Sequence, residues 1–327
     1  MENKVTIVIP NYNGKKYLKD CLRSLGKQTV KAPVIVVDNA SSDGSVEYIK
    51  QLVSENPSKY PEVRIVELSS NTGFSNAVNI GIEMSDSEYV ILLNNDTVSK
   101  ETMTEKLLDA IEKSDRIFSV GAKMLSMKNP DVIDDAGDYY CALGWAFSPG
   151  RDKNAKTYSK RCAVTSACAG AAIYRKSIFE KIGLFDVAHF CYLEDVDIGY
   201  RARIFGYKNM FEPSAIVYHA GSGTSGSRYN KFKEELTAAN NIYFIYKNMP
   251  ALQLVINLPF IILGILIKQV YFARKKLGLS YAKGLFVGVK KAFGNGDKKV
   301  VYDIKNTGNY ITLEIELLIN CIRRLVG

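Results

Sequence analysis

Polar side chains follow four predicted strands at the positions where these strands end. The four segments are Pro10-Asn11-Tyr12-Asn13, Asp38-Asn39, Asn71-Thr72-Gly73 and Asn94-Asn95-Asp96. All four offer hydrogen-bonding groups but none contains Lys or Arg, which argues against a phosphate held directly by protein cations. The pattern suits a site in which Asp96 holds Mg²⁺ or Mn²⁺ and the cation neutralises a diphosphate, because both ions accept oxygen ligands.

Several familiar site patterns are missing from the chain. No G-x-G-x-x-G follows the first strand and no G-x-x-x-x-G-K-[ST] occurs, so dehydrogenase and P-loop interpretations are weak. The two histidines, His189 and His219, are too few for a His-rich metal site. The six cysteines have no C-x-x-C spacing and no signal peptide precedes the first strand, so we expect a reducing, cytoplasmic environment.

The elements that must position these residues alternate between strand and helix over about the first 125 residues. Apolar runs predict four strands, at 5–9, 34–37, 63–68 and 89–93. Helical periodicity between them predicts helices at 15–28, up to about 55, and at 74–84. The alternation predicts an α/β fold, a doubly wound and mostly parallel sheet with helices on both faces. Ligands of such sheets bind beyond the carboxyl ends of the strands, where the polar segments lie.

Periodicity is lost from Asp131 to about Ala167, where turn residues, aromatic residues and charges mix. A long irregular stretch in a compact enzyme is usually a binding loop or a lid, so we expect this one to influence specificity. Order returns with a strand at 171–174, a helix to 183, a helix through 205 and two strands, at 209–211 and 216–218.

The formal net charge of +9 belongs to the C-terminal third of the chain. From Arg228 to the end there are 16 Lys and Arg against 6 Asp and Glu, whereas the preceding residues hold 27 against 28. A protein that binds nucleic acid over its whole surface would not show this division, so nucleic acid is not an expected partner. The division predicts a neutral catalytic domain at 1–227 and a helical, basic region at 228–327 for membrane association or oligomerisation.

Two apolar segments lie in that basic region. Residues 251–267 are almost entirely apolar, and Pro259 is expected to split them, which makes a straight membrane span doubtful. Basic residues follow directly, which favours an interfacial or re-entrant segment at an anionic membrane surface; a core helix or a homodimer interface is the alternative. A second apolar stripe, between Ile311 and Leu325, is expected to dock onto another helix, within the subunit or across a dimer.

Five segments together resemble the inverting glycosyltransferases of family 2, which have the GT-A fold. They are "VTIVIPNYNGKKYLKDCLRSL", "VVDNASSDGS", "NTGFSNAVNIGI", "LLNNDT" and "YLEDVDIGYRARIFGYK", in the family's order over about residues 4–225. Within the family, the aromatic loop and "HAGSGTS" are most similar to bacterial rhamnosyltransferases of cell-surface polysaccharide synthesis. The resemblance implies a nucleotide-sugar donor, with dTDP-rhamnose the expected one, and a saccharide or lipid-linked acceptor. Together with the basic C-terminal region, a lipid-linked acceptor leads us to expect a cytoplasmic protein at the inner face of the plasma membrane.

The resemblance also implies roles for individual residues. It assigns nucleotide-sugar binding to Pro10, Asn11, Tyr12, Asp38, Asn71, Gly73, Asn79, Asn94, Asn95 and Arg201. Asp38 would accept a hydrogen bond from the pyrimidine base, and Arg201 would contact the diphosphate or orient the acidic pair on its own helix. Trp145 and Gly170 are predicted to contact the acceptor.

The metal-binding and catalytic roles rest on two acidic segments. Asn94-Asn95-Asp96 matches the family's Asp-x-Asp with one departure, since Asn94 replaces the first Asp. Asp96 alone keeps its charge, which weakens the expected metal affinity and makes His219 a candidate ligand. Glu194 and Asp195 match the family's acidic pair, and we predict that Asp195 is the general base that takes the acceptor hydroxyl proton, an effect of about 10²–10⁴ in rate.

Plainer interpretations stand beside these roles. Asp38 could belong to a turn, Asn94-Asn95-Asp96 could cap a helix, and Glu194-Asp195 could place acids at a helix N-terminus. Two other functions are open: a catalytically weak nucleotide-sugar-binding scaffold, which Asn94 favours, and a nucleotidyltransferase. The latter needs a basic, glycine-rich phosphate loop that "IPNYNGKKY" does not supply.

Overall fold

The computed structural model describes residues 4–221, 229–295 and 298–326. In these ranges the strands are β1 Val5–Asn11, β2 Val34–Asp38, β3 Val63–Glu67, β4 Tyr89–Leu93, β5 Thr97–Ser99, β6 Ile117–Ser126, β7 Ile133–Asp135, β8 Tyr139–Cys141, β9 Trp145–Phe147, β10 Cys162–Val164, β11 Ala171–Arg175 and β12 Lys208–His219. The α-helices are α1 Lys15–Gly26, α2 Ser45–Glu55, α3 Gly73–Glu83, α4 Met103–Ile111, α5 Lys176–Ile182, α6 Glu194–Ile204, α7 Lys231–Asn248, α8 Ala251–Arg274, α9 Gly278–Gly294 and α10 Thr307–Val326.

The central sheet runs in the order β10-β12-β6-β11-β4-β1-β2-β3. Its N-terminal half, β3-β2-β1-β4, is wholly parallel, as the alternation of strand and helix predicted. The strand β11 is antiparallel to both β4 and β6, and β12 is parallel to β6. The short strands β5 and β7 pair with β12 and β6, while β8 and β9 form a separate hairpin. The α/β prediction, with a helical C-terminal region, is confirmed.

Helices cover both faces of the sheet because successive strand residues point to opposite sides. Ile7 and Ile9 of β1 belong to a core that includes Leu22 of α1. Val8, between them, belongs to a second core that includes Val78 of α3. All of these side chains are fully or almost fully buried, and each stabilises the fold by about 1.5–3 kcal/mol. The two cores fix the strand ends at which the polar segments lie.

The region between β6 and α6 differs from its sequence-based description. The stretch predicted to be irregular contains the strands β7, β8, β9 and β10, each three residues long. The two strands predicted at 209–211 and 216–218 are one strand, β12, with a register shift between Glu212 and Ile216. Pro213 lies in that shift, where its missing N–H removes a ladder hydrogen bond without ending the strand.

Helix α8 is continuous through Pro259, so the predicted split of this segment is wrong. The buried stripe of α8 includes Gln253, Asn257 and Ile261, on both sides of the proline. Contacts along this stripe stabilise the helix on both sides of Pro259, which cannot donate to the carbonyl four residues earlier. Gly264 allows the close approach of the Leu143 carbonyl, which a Cβ atom there would strike.

The apolar stripe of α10 also departs from expectation. The helix docks through its other face, where Tyr310, Leu313 and Leu317 are buried. Ile311, Ile315 and the rest of the predicted stripe are exposed, so within the described residues this stripe does not dock onto another helix of the subunit. The predicted domain boundary at 227/228 falls in residues 222–228, outside the described residues.

Candidate active site

Hydrogen bonds join three of the predicted polar segments at the carboxyl ends of β1, β2 and β4. The Nδ2 group of Asn11 donates to Oδ1 of Asp38 at 2.7 Å, and Nδ2 of Asn95 donates to Oδ1 of Asn11 at 2.6 Å. The other carboxylate oxygen of Asp38 accepts from the backbone N–H of Ser41 at 2.9 Å. The Asp38 carboxylate is thus held in a fixed orientation, while Tyr12 beside it is 39% exposed. Pro10 is half-buried near the end of β1.

The remaining polar segment, Asn71-Thr72-Gly73, is joined to the same edge of the sheet through Asn39. Its Nδ2 group donates to the Gly73 carbonyl at 3.0 Å, and the Gly73 N–H donates to Oδ1 of Asn71 at 3.0 Å. Gly73 has a φ of +85°, and a Cβ atom there would collide with Phe190. A glycine is therefore required, because the start of α3 must pass close to the segment that leads into α6.

Asn79 and Arg201 bind backbone groups of the segment between α5 and α6. The Asn79 amide donates to the Phe185 carbonyl at 2.7 Å and accepts from the Phe185 N–H at 3.0 Å. The Arg201 guanidinium donates to Asp197 and to the carbonyls of residues 182–184. These bonds give both residues a structural role, and their contact with a nucleotide sugar stays a prediction.

Asp96 and His219 lie side by side at the centre of the site. Strand β5 pairs with the end of β12, with Thr97 opposite His219, and this places His219 Nε2 3.2 Å from Oδ1 of Asp96. The second ring nitrogen, Nδ1, is 2.6 Å from Oδ2 of Asp134. Burial alone would lower the pKa of His219, but contact with the two carboxylates raises this pKa to about 9.

This arrangement fits a divalent cation. A cation that displaces the Nε2 proton of such an imidazole finds a lone pair there, while a carboxylate that accepts the Nδ1–H fixes the ring and its tautomer. Asp134 is in that position, and Nε2 of His219 points toward the Asp96 carboxylate. One nitrogen and one carboxylate, with phosphate oxygens from a donor, form a ligand set that suits Mn²⁺ and also accepts Mg²⁺.

Gly170 connects the segment of Asn94 with the acidic pair on α6. Its carbonyl accepts from the Asn94 N–H at 2.9 Å, and a Cβ atom on Gly170 would lie 3.0 Å from Nδ2 of Asn94. The preceding residue, Ala169, donates its N–H to Oδ2 of Asp195 at 3.4 Å. Asp195, the general-base candidate, is therefore bound by Ala169, the neighbour of the residue that contacts the Asp-x-Asp-like segment.

Glu194 and Asp195 have different environments at the start of α6. Glu194 is buried and its Oε2 atom has no hydrogen-bond partner among the described residues, whereas Asp195 is partly exposed. Burial raises the pKa of both carboxyl groups, and the charge of Asp195 raises the pKa of Glu194 further. Of the pair, Asp195 is the one that a substrate could reach and whose carboxylate is held by backbone N–H groups.

Three acids in the 131–167 stretch lie near the site but were not predicted from the sequence. Asp134 was missed because its partner, His219, is 85 positions away. Asp135 and Asp138 lie with Cys168 in one group, and burial raises the pKa of Asp135 to about 6 and that of Asp138 well above its usual value. The run "DDAGD" was the available signal, because three acids in five residues are unusual in an aromatic loop.

Trp145 lies against α8. Its indole N–H donates to the Gly264 carbonyl at 3.2 Å, and Lys268 Nζ is 5.7 Å from the ring centroid. These contacts give the side chain a role in packing the C-terminal helices, and its contact with an acceptor stays a prediction.

A second acidic group, Asp186 and Asp197 with His189, resembles a metal site only in composition. Lys247 Nζ lies 2.7 Å from Asp186 and 2.9 Å from Asp197, and Arg201 Nε donates to Asp197 at 3.0 Å. Because protein cations already neutralise both carboxylates, this is a buried ion-pair network.

Comparison with known proteins agrees with the geometry. The sequence model of glycosyl transferase family 2 matches residues 6–183, more than half of the chain. The chain therefore belongs to glycosyltransferase family 2 and is a glycosyltransferase.

Two curated relatives are informative. The N-acetylglucosaminyl-diphospho-decaprenol L-rhamnosyltransferase of Mycobacterium tuberculosis (strain CDC 1551 / Oshkosh) is 27% identical over 252 residues, which cover 69% of this chain and 79% of the relative. The poly-beta-1,6-N-acetyl-D-glucosamine synthase of Staphylococcus epidermidis is 21% identical over 228 residues, 69% of this chain but only 52% of the relative.

Solved structures show the same GT-A fold. The mannosyltransferase PcManGT of Pyrobaculum calidifontis, solved with GDP-Man and Mn²⁺, has a TM-score of 0.56 and 16% identity over 99% of this chain and 88% of its own. GalNAc-T7, solved with UDP, GalNAc and Mn²⁺, has a TM-score of 0.59 and 17% identity over 74% of this chain and 47% of its own.

Proposed function

We propose that this glycosyltransferase moves rhamnose from dTDP-rhamnose, with inversion, onto a hydroxyl group of a saccharide or lipid-linked saccharide during synthesis of a cell-surface polysaccharide. The proposal is carried by the contacts of His219 with Asp134 and Asp96, close to the segment at Ala169 that binds Asp195. The mycobacterial relative supports the finer part, because its name specifies rhamnosyl transfer to a diphospho-decaprenol-linked sugar.

In this proposal each group has one task. Asp38, held by Asn11, receives the nucleoside, and Asp195 takes the proton of the acceptor hydroxyl as its oxygen attacks the anomeric carbon. Asp96 and His219 would hold Mg²⁺ or Mn²⁺, which when bound stabilises the charge that develops on the leaving diphosphate. The sugar–phosphate bond breaks as the new glycosidic bond forms, so no covalent enzyme intermediate is needed.

The proposal also assigns the two parts of the chain. Residues 1–227 form the catalytic domain, and 228–327 hold it at the cytoplasmic face of a membrane, where a lipid-linked acceptor lies. The charge division and the apolar C-terminal helices support this assignment.

The test is release of nucleotide diphosphate from a panel of nucleotide sugars, with Mg²⁺ or Mn²⁺ or with a chelator. Membrane lipid extract in every reaction supplies an acceptor. We expect metal-dependent release from dTDP-rhamnose above all other donors. Release from a different sugar would refute the rhamnose assignment and keep the transferase.

Asn94 favours a second candidate, a nucleotide-sugar-binding scaffold with little turnover, because the first acidic position of the metal motif has lost its charge. Donor binding by calorimetry without diphosphate release from any donor would support the scaffold. Turnover that Asn94→Asp increases would exclude it.

A further inference from the structure

Apolar side chains cover the outward faces of the C-terminal helices. Six of them, between 55% and 73% exposed, define what we call the outer helical surface: Leu252, Val255 and Leu266 of α8, Phe286 of α9, and Ile315 and Ile322 of α10. Single exposed apolar residues are ordinary, whereas such a concentration on adjacent helices marks an interaction site.

The three faces adjoin because α8 contacts both other helices. Its Gln253 donates to Oε2 of Glu314 on α10 at 3.0 Å, and near its other end Gln269 donates to the Gly278 carbonyl at the start of α9 at 3.2 Å. The rings of Phe272 and Tyr281 lie 5.2 Å apart at the same junction.

Helix α8 is long and apolar enough to cross a membrane by length and composition alone. Its inner stripe, however, touches protein from Gln253 to Phe272, a distance of about 28 Å along the axis. That length nearly equals the hydrocarbon thickness, roughly 30 Å. A helix with the enzyme packed along its whole length cannot cross a bilayer without drawing charged groups such as Glu314 into hydrocarbon.

Exposed cations lie at the ends of the same helices. Arg274 ends α8, Lys275 and Lys276 follow it, and Arg323 and Arg324 lie in the last turn of α10. A symmetric dimer through the outer helical surface would bring two copies of this excess positive charge together, which opposes association. Anionic lipid headgroups attract the same cations while the acyl region accepts the apolar side chains.

We propose that the outer helical surface docks on an anionic lipid bilayer, with α8 lying parallel to the membrane plane and not crossing it. This rests on the proposed function, which places the acceptor at a membrane. It adds which surface of the protein touches the membrane, that this contact requires anionic lipid, and how α8 lies relative to the membrane plane.

The first test is flotation of the full-length chain with preformed vesicles of phosphatidylcholine, alone or mixed equally with phosphatidylglycerol. We expect binding to the mixed vesicles that weakens at high salt. The triple variant Val255→Asp, Leu266→Asp, Ile315→Asp should lose it. A control with the same added charge on α2 and the turn after it, Gln51→Asp, Ser54→Asp, Ser58→Asp, should keep it. Circular dichroism verifies that both variants fold.

A second variant keeps the apolar surface and removes cations. Arg274→Gln, Lys275→Gln, Lys276→Gln should weaken binding to mixed vesicles about a hundredfold at low salt. Equal binding of this variant and the unmodified chain, or no vesicle binding by the unmodified chain, would overturn the proposal. A lipid-free dimer that the aspartate variant dissociates would overturn it in favour of a second copy.

Orientation is tested by tryptophan depth. In a Trp145→Phe background, Leu252→Trp, Leu263→Trp and Val270→Trp place one indole at each end and one in the middle of α8. Similar quenching by brominated lipids at all three positions is expected for a flat helix. Deep quenching only at the middle position would show a span. None of these assays needs donor or acceptor, so diphosphate release in parallel separates failure of this inference from failure of the proposed function.

Discussion

The catalytic sheet and the C-terminal helices differ in where they place polar and apolar residues. In the sheet, residues such as Val8 and Ile9 are buried, and the polar groups gather at the strand ends. In the helices, Gln253, Asn257 and Glu314 bond to each other on the inside while leucine and isoleucine face outward. The sheet gathers polar groups at one edge, whereas the helices expose many apolar groups on their outward faces.

A buried ion-pair network joins the two parts. Lys247 of α7 contacts Asp186 and Asp197, and the Asn248 amide donates to Oδ1 of Asp197 at 2.8 Å. Asp197 lies on α6, the helix that begins with Glu194. The C-terminal helices are thereby fixed to the element that carries the proposed base, which ties the orientation of the site to that of the outer helical surface.

The largest expected effect is catalytic and belongs to the sheet. Asp195→Asn removes the proposed proton acceptor and should lower kcat by about 10²–10⁴. Glu180→Gln, at an exposed position of α5, is the matched control and should change little. Rates are measured by diphosphate release and folding by thermal unfolding. A fully active Asp195→Asn would remove the base from the proposed mechanism.

The next effect concerns the junction. Lys247→Met keeps the length of the side chain but removes the cation that two buried carboxylates share, although Lys298 still pairs with Asp186 and Arg201 with Asp197. The free energy of unfolding should fall by about 3 kcal/mol, the lower end for a broken buried ion pair. Lys231→Met, at an exposed position of the same helix, should lower it by less than about 0.5 kcal/mol. Urea unfolding measures both, and equal values would mean that the network does not join the two parts.

Acid should weaken the same junction. Burial alone would raise the pKa values of Asp186 and Asp197, but contact with Lys247 holds both pKa values below the ordinary value of 3.8. Carboxyl groups whose pKa is lower in the folded state stabilise it above the unfolded pKa and lose this contribution as pH falls through the folded pKa. Stability should therefore fall below about pH 4, with a smaller dependence in Lys247→Met.

A smaller effect is expected at the metal ligands. Asp134→Asn weakens the orientation of His219 and should reduce Mn²⁺ affinity about 10–100-fold, measured by calorimetry without substrate. Asp131→Asn, exposed in the same loop, is the control. Unchanged Mn²⁺ affinity would show that Asp134 does not support a metal ligand.

The smallest effects compare the two faces of α8. Gln253→Leu leaves the hydroxyl of Tyr200 without a partner and removes one of the hydrogen bonds to the Glu314 carboxylate, which should cost about 1–3 kcal/mol of unfolding free energy. Leu252→Ser, on the outward face, should change it by less than about 0.5 kcal/mol in the absence of lipid. The reverse ranking would mean that the outward face packs against protein.

Local sequence alone determined the first half of the fold. Strand β4 was predicted with its observed bounds, and β1 through α3 were predicted to within a few residues, because apolar periodicity reports which side of a strand or helix is buried. The same periodicity indicated where strands end, and therefore that Asp38 and Asp96 would lie at one edge of a sheet.

Tertiary structure alone decided the contacts between distant residues. It placed Asp134 on His219, bound Arg201 and Asn79 to the backbone near Phe185, and kept α8 continuous through Pro259. None of these follows from local periodicity, because each depends on a partner far away along the chain. For the same reason the sequence predicted an apolar stripe on α10, but only packing showed that the stripe faces outward.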